Sequence, residues 1–435
     1  MNLIKLSWKN LTNKPLAMAL SLVLFALGVG LISLLLLLSK QLQDKFDKNL
    51  AGIDLVVGAK GSPLQLILNS MYHIDAPTGN VSIDEVKAFL NPRHPLIATA
   101  VPLSMGDSYK TYRIVGTNHK ILELYNAQIG EGELWKETFE VTLGANVAEE
   151  LGLKIGDEFY SSHGLVMDAG MEHSDTEPFK IVGILQPTGA VIDQLILTNT
   201  QSIWAVHEHS EVGKGAEVID EEEESEVDST HMAGEHQEHE DLGDVNTPLL
   251  NFTDRDITSV LVKFKGRSYQ ALNMQRSINE NTDLQAATPA IEINRLYSMM
   301  GVGEEALRAL ALVIIFVSGL SVFISLYSSL KERRYELALM RVMGSSPGRL
   351  FVLIVLEGLL LAAIGYVIGI ALSHFSMELL AGYMKESYRY SFSGFEFLTE
   401  EIYLLLAALG IGFIAAVIPA IQAMRTDIST TLAEG

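Results

Sequence analysis

Leu16–Leu38 reads LAMALSLVLFALGVGLISLLLLL, a run with no charged side chain. At 1.5 Å of rise per residue, such a helix spans the roughly 30 Å hydrocarbon core of a bilayer. Its apolar core is far longer than that of a cleaved signal peptide, and no small-x-small site follows before Lys40. A retained signal anchor is therefore expected. Three more runs of the same kind follow, Ala306–Leu330, Leu350–Leu372 and Ile402–Met424. Between the first and the second lies a long segment, 39–305, of ordinary mixed composition. The spacing predicts an α-helical membrane protein with four transmembrane helices in a 1+3 arrangement and one large water-facing insert.

The formal net charge of −22 excludes a nucleic-acid-binding role, which needs a basic face. There is no cysteine, so disulfides and thiolate metal sites are excluded as well. Orientation follows from Lys and Arg near the ends of the spans. Lys5, Lys9 and Lys14 precede the first span, Lys331, Arg333, Arg334, Arg341 and Arg349 follow the second, and Arg425 follows the fourth. The loop after the third sets Lys385 and Arg389 against Glu378, Glu386, Glu396, Glu400 and Glu401. Both termini and the 331–349 loop are expected in the cytosol, and the insert outside.

The expected organisation is then a cytosolic amphipathic segment (1–15), transmembrane helix 1 (16–38), and an extracytoplasmic stalk and core domain (39–305). Helix 2 (306–330), a cytosolic coupling helix (331–349) that Gly344 is expected to end before Pro347 starts the next helix, helix 3 (350–372), an outer loop (373–401), helix 4 (402–424) and a cytosolic tail (425–435) complete it. Within the insert, Gln41–Leu50 continues the first helix as a stalk. Ile53–Gly58 reads as a strand, and Pro63 as the first residue of a helix through Tyr72. Ser82 caps a short helix with Glu85 as capping-box partner. Strands are expected at Tyr109–Gly116, Glu140–Leu143, Phe159–Ser161, Phe179–Leu185, Gln194–Thr198 and Ser259–Phe264. Helices are expected at Tyr269–Asn279 and Ile291–Gly303, the second leading into helix 2. This is an α+β domain on a helical stalk. One insertion, 206–245, is rich in Glu and His and too poor in apolar residues to bury a core, so it is expected to be disordered.

Several patterns together resemble the permeases of the FtsX/MacB-type ABC transporter family. Ser7-Trp8-Lys9-Asn10-Leu11 is similar to the family's N-terminal entry. Leu143-Gly144 through Ala148, Leu151–Asp157 and Phe179–Leu185 resemble its extracytoplasmic core. Lys331-Glu-Arg-Arg-Tyr-Glu-Leu-Ala-Leu-Met-Arg-Val-Met-Gly344 resembles its cytosolic signature, and Glu357 with Gly365 and Gly369 its third helix. Pro419-Ala420 with Ala423 resembles its fourth. The resemblance implies a permease subunit in a bacterial inner membrane, a homodimer driven by two copies of a cytosolic ATPase that binds ATP and Mg²⁺. This chain holds no G-x-x-x-x-G-K-[ST], no H-E-x-x-H and no G-x-S-x-G, so no catalytic residue is expected in it.

Within that frame, Arg333, Arg334, Tyr335, Leu339, Arg341, Val342, Met343 and Gly344 are the expected ATPase-coupling residues. Tyr335, Leu339 and Val342/Met343 fall on one helical stripe; Arg334, Ala338 and Arg341 fall on another. A basic helix resting on anionic headgroups is the competing reading. Glu357, two turns into the third span, is expected to be hydrogen-bonded to the cytosolic ends of neighbouring helices rather than to serve as a proton site. Gly365, Gly369, Gly412 and Pro419 are expected at close helix contacts. His207, His209, His231, His236 and His239, with spacings H-x-H and H-x-x-H among carboxylates, suit Zn²⁺. Two functions remain open at this stage. One is export or extraction of a lipophilic, peptide, lipoprotein or metal-related cargo, with a periplasmic adaptor or carrier. The other is an FtsX-like transmitter that switches on a periplasmic hydrolase without transport.

Overall fold

The computed structural model describes residues 3–12, 15–163, 177–214, 248–266, 268–388 and 392–425. The chain divides into two compact units, 1–44 with 297–435, and 45–296.

The first unit is built from four apolar helices long enough to cross a membrane. The first long helix covers Pro15–Leu50, the second Pro289–Glu332, the third Pro347–Tyr388 and the fourth Thr399–Met424. Three of them far exceed the ~20 residues a bilayer requires. Their common core holds Phe25, Val29, Val322, Leu326, Leu353, Leu361 and Ala416. Phe316, Val367 and Ile414 remain exposed on the outside of the bundle, as side chains facing acyl chains do, because lipid is as apolar as they are.

One expectation is corrected here. The segment 373–401, expected as a loop, is largely helical, since the third helix continues unbroken to Tyr388. Met377 and Ala381 lie one turn apart on its inner face and pack with Leu37, Phe392 and Leu398. Burial beyond the span, rather than lipid, holds this part of the helix. The connection 331–349 has the break that Gly344 and Pro347 signal and a second one, at Arg333, that no Gly or Pro announces. It is a nine-residue helix, Arg334–Val342, and the third helix already begins at Pro347.

The second unit centres on a mixed sheet. Its strands lie in the order Leu284–Ala287, Leu55–Ala59, Ser259–Phe264, Ile97–Tyr109, Tyr112–Gly116, Ile196–Thr198, Glu140–Leu143, Phe179–Leu185 and Ile129–Gly132. The long strand Ile97–Tyr109 joins two lobes. Ile97–Leu103 pairs with Ser259–Phe264, and Ser104–Tyr109 pairs with Tyr112–Gly116. One lobe buries Leu55, Val57, Val260, Val262 and Ile278; the other buries Ile114, Val141, Leu143, Phe179 and Ile181. The alternation of branched residues with smaller ones on these strands gives each lobe an apolar inner face.

The expected strand Tyr109–Gly116 begins only at Tyr112, because Tyr109 ends the preceding strand and the two form a hairpin. Lys110 (φ 47°) and Thr111 (φ 82°) occupy the left-handed region and reverse the chain, a conformation that neither residue type signals. The first part of the insertion 206–245, expected to be disordered, is helical. A helix beginning at Thr200 runs through Lys214, anchored by the buried Trp204, Ala205 and Val206. The rest of it, 215–245, lies outside the described residues.

His73 is the most perturbed group of this unit. It caps the helix Pro63–Tyr72 at φ 53°, with its backbone N–H donating to Asn69 O. Its Nδ1 lies 3.2 Å from Met105 Sδ, and Arg113 Nε donates to its carbonyl at 2.9 Å. Burial, with Arg113 adding to it, pushes its pKa down to about 3. In the unfolded chain it titrates near 6.5. The unfolded state thus binds an extra proton at pH values between those two. The stability present above pH 6.5 is lost as pH falls toward 3, by at most about 1.4 kcal/mol per pH unit. His73→Asn keeps a residue that tolerates positive φ but removes the titration. Between pH 7 and pH 4 the urea midpoint, read by tryptophan fluorescence of the whole chain, should fall less in His73→Asn than in wild type. Parallel profiles would show that His73 is not the acid-sensitive group.

Candidate functional site at the Arg333–Gly344 elbow

The second helix ends at Glu332, and Arg333 breaks it with φ −101° and ψ 14°. The short helix Arg334–Val342 follows. Gly344 then reverses the chain at φ +97°, a conformation in which a side chain would be strained although nothing lies within 4 Å of its Cβ position. This elbow connects two membrane-length helices.

Its short helix carries two apolar faces. Leu337 and Ala338 are buried, and Leu337 packs in the bundle core with Leu330, Leu350 and Leu353. Ala338, placed from sequence on the basic stripe, is therefore a packing residue: its small side chain admits close contact. The second face is Tyr335, Leu339, Val342 and Met343, which are 49%, 44%, 58% and 72% exposed. Arg334 is exposed as well. An apolar stripe left uncovered beside charged residues is a surface that a partner can cover.

Glu357, only 1% exposed, ties the elbow to the rest of the bundle. It accepts a hydrogen bond from Asn10 Nδ2 at 2.7 Å and a longer one from Arg333 Nη1 at 3.5 Å. Arg333 Nε also meets Glu336 Oε2 at 3.1 Å. Asn10 belongs to an entry helix, Leu3–Thr12, whose Ser7, Asn10 and Leu11 are buried while Ile4 and Trp8 are exposed. Entry helix, third helix and elbow thus share one carboxylate. An ionised carboxylate alone in a span costs about 2.5–3.5 kcal/mol, which the amide and the guanidinium offset. Sequence reasoning identified Glu357 but missed Asn10 as its partner. The signal was present in the Ser7, Asn10, Leu11 spacing of i, i+3, i+4.

Gly365 and Gly369 face the first helix: a Cβ on Gly365 would lie 2.7 Å from Phe25 Cδ1, and one on Gly369 would lie 2.8 Å from Ala26 O. Gly412 faces the third helix, where its Cβ would meet Ala362 Cβ at 2.5 Å. Pro419 is buried inside the fourth helix.

A second polar knot went unread. Glu401, 3% exposed, accepts from Ser33 Oγ at 2.9 Å and lies 2.9 Å from His374 Nε2. Gln41 holds the backbone of Ser393 through two hydrogen bonds, of 2.7 and 2.9 Å. His374 is some 25 Å along the third helix from Glu357, at the rise of an α-helix. The bundle is therefore pinned at both ends.

Of the histidines expected to hold metal, only His207 and His209 fall among the described residues. His207 lies in the helix Thr200–Lys214 with Nε2 3.8 Å from the buried Asp107. His209 follows in the same helix, and His231, His236 and His239 lie outside the described residues. Among the described residues no group of three or more His, Cys, Asp or Glu is arranged to hold a metal.

Comparison with known proteins places this architecture. Residues 308–428 match the FtsX-like permease C-terminal family, and residues 18–222 match the MacB-like periplasmic core domain. The chain belongs to the FtsX/MacB permease family and is an ABC-type permease subunit of the membrane. No curated protein matches it. Among solved structures, a domain of a Porphyromonas gingivalis protein described as a permease aligns at 11% identity and a TM-score of 0.24. That alignment covers 55% of this chain and 88% of the other, and it adds nothing to the family assignment.

Proposed function

We propose that this chain is the membrane subunit of a mechanotransmitting ABC system, in which a separate cytosolic ATPase seats on the Arg333–Gly344 elbow. The observation that carries this reading is the uncovered stripe Tyr335, Leu339, Val342 and Met343 on a helix whose opposite face is locked into the bundle. A load applied to that stripe is delivered to the second and third helices through Leu337 and Ala338, and to the entry helix through Glu357. The second long helix runs without a break from Pro289 to Glu332. The first runs likewise from Pro15 to Leu50. Stiff helices of this length pass axial and rotational motion to whatever they carry. Two ATPase copies on a homodimer, with the elbow in the cytosol and 45–296 outside, fit the distribution of Lys and Arg. The cargo is captured outside or drawn from the outer leaflet.

Leu339→Glu with Val342→Glu tests the docking surface. Both side chains are exposed, so the bundle should keep its thermal stability. ATPase recovered with the permease should drop about tenfold or more, as losing ~1.4 kcal/mol or more of interface energy requires. Unchanged co-purification together with unchanged ATP-driven activity would refute the elbow as the docking site. Transmission to a hydrolase without transport is the second reading. A hydrolase recovered stoichiometrically with the native complex, in place of an adaptor or carrier, would select it.

A further inference from the structure

The entry helix Leu3–Thr12 has an outer side that the bundle leaves uncovered. Its inner side is anchored: Ser7 Oγ donates to Leu353 O at 3.4 Å, and Asn10 reaches Glu357 at 2.7 Å. Leu3, Leu6 and Leu11 pack with the bundle core beside them. On the outer side Ile4 and Trp8, one turn apart, are 60% and 50% exposed. Lys5 and Lys9, also one turn apart, are exposed and border that apolar pair. The helix carries no Asp or Glu, in a chain whose net charge is −22.

Its depth is set by the residues it touches. Leu353 and Glu357 stand about 5–10 Å along the third helix from Leu350, at 1.5 Å per residue. An interfacial helix buries its apolar face to the same depth, where headgroups give way to acyl chains. The chain then continues into a surface of the same kind. Leu16 and Leu20, which open the first long helix, are 85% and 61% exposed.

We infer that the outer side of the entry helix is a recognition surface for anionic phospholipid. Ile4 and Trp8 lie among the acyl chains, and Lys5 and Lys9 reach the phosphates. A lysine stem keeps its methylenes in the apolar zone while the ammonium sits in the headgroups. Tryptophan is a side chain that bilayers favour at this boundary. A zwitterionic lipid would suit Trp8 equally; the paired lysines are what call for negative charge. Each lysine near an anionic surface favours it about fivefold. A second copy meeting this side across a two-fold axis would instead set four lysines against one another. Nothing in the assignment depends on where the ATPase seats.

Trp8 reports on the surface directly. The chain has three tryptophans, and the other two, Trp135 and Trp204, are buried in the second unit. The full chain is placed in phosphatidylcholine nanodiscs with a small, equal fraction of dibromo-phosphatidylglycerol or dibromo-phosphatidylcholine. Bromine quenches a tryptophan on contact, and the difference from Trp8→Phe isolates the Trp8 signal. The anionic lipid should quench Trp8 about fivefold more than the zwitterionic one, or better. The excess should shrink at high salt and vanish in Lys5→Gln with Lys9→Gln, two exposed positions where folding is not at stake. Equal quenching by the two lipids, or an anionic excess that survives the double variant, would overturn the assignment. So would quenching by neither lipid, the result expected if a second copy covers this side.

Discussion

Gly412→Leu should unfold the bundle, while Gly410→Leu, two residues away on the same helix, should leave it intact. At Gly412 even a Cβ would stand 2.5 Å from Ala362 Cβ and 2.8 Å from Gly358 O. Gly358 answers from the third helix, where a Cβ would lie 2.7 Å from both Ala416 Cβ and Gly412 O. The two helices therefore meet backbone to backbone, and no rotamer makes room for a larger residue. At Gly410 nothing lies within 4 Å. Overpacking typically costs about 1–3 kcal/mol and more where backbone is the obstacle. Between spans, packing is the main source of association. Thermal unfolding in detergent, with size-exclusion profiles, compares the two variants. Equal melting temperatures for Gly410→Leu and Gly412→Leu would mean that the third and fourth helices do not pack along this seam.

The four spans and the α+β character of the insert were legible because length and hydrophobic pattern are set by the solvent each element meets. The third helix past Leu372 was not. Ser373, His374, Glu378 and Lys385 look like a water-facing loop, and only the packing of Met377 and Ala381 shows that the helix continues. The hairpin at Lys110 and Thr111 was hidden for a related reason: neither residue announces positive φ as Gly or Asn does. At the elbow, Gly344 and Pro347 marked the break before the third helix, whereas the break at Arg333 carries no Gly or Pro and went unread. What one sequence could not supply was pairing at a distance. Asn10 and Glu357 are far apart in the chain, as are Ser33 and Glu401, and no local pattern links the members of either pair. Glu401 was read as loop charge, although it is the buried centre of the second knot.

Asn10→Leu and Glu357→Leu should each destabilise the protein, and the double variant should be no less stable than Asn10→Leu alone. Asn10 is 7% and Glu357 1% exposed, and they meet at 2.7 Å inside the bundle. Removing the amide leaves a carboxylate in apolar surroundings with only the long contact from Arg333 at 3.5 Å. Removing the carboxylate leaves the amide of Asn10 without its acceptor. A buried group stranded in either way costs about 1–3 kcal/mol, whereas replacing both partners by apolar side chains is close to neutral. Arg333 is 14% exposed at its side chain and keeps Glu336 at 3.1 Å in the double variant, so it is not stranded. Melting temperatures of the four proteins close the cycle. The entry helix supplies a second readout. With no native cysteine, a single cysteine at Trp8, which is 50% exposed, reports local mobility by spin label. Asn10→Leu should raise that mobility, and Glu357→Leu should do the same if the carboxylate is what holds the helix. Strictly additive stabilities, with the label unmoved in both single variants, would show that the 2.7 Å contact holds nothing in place and that Ser7 with the packing of Leu3, Leu6 and Leu11 secures the entry helix.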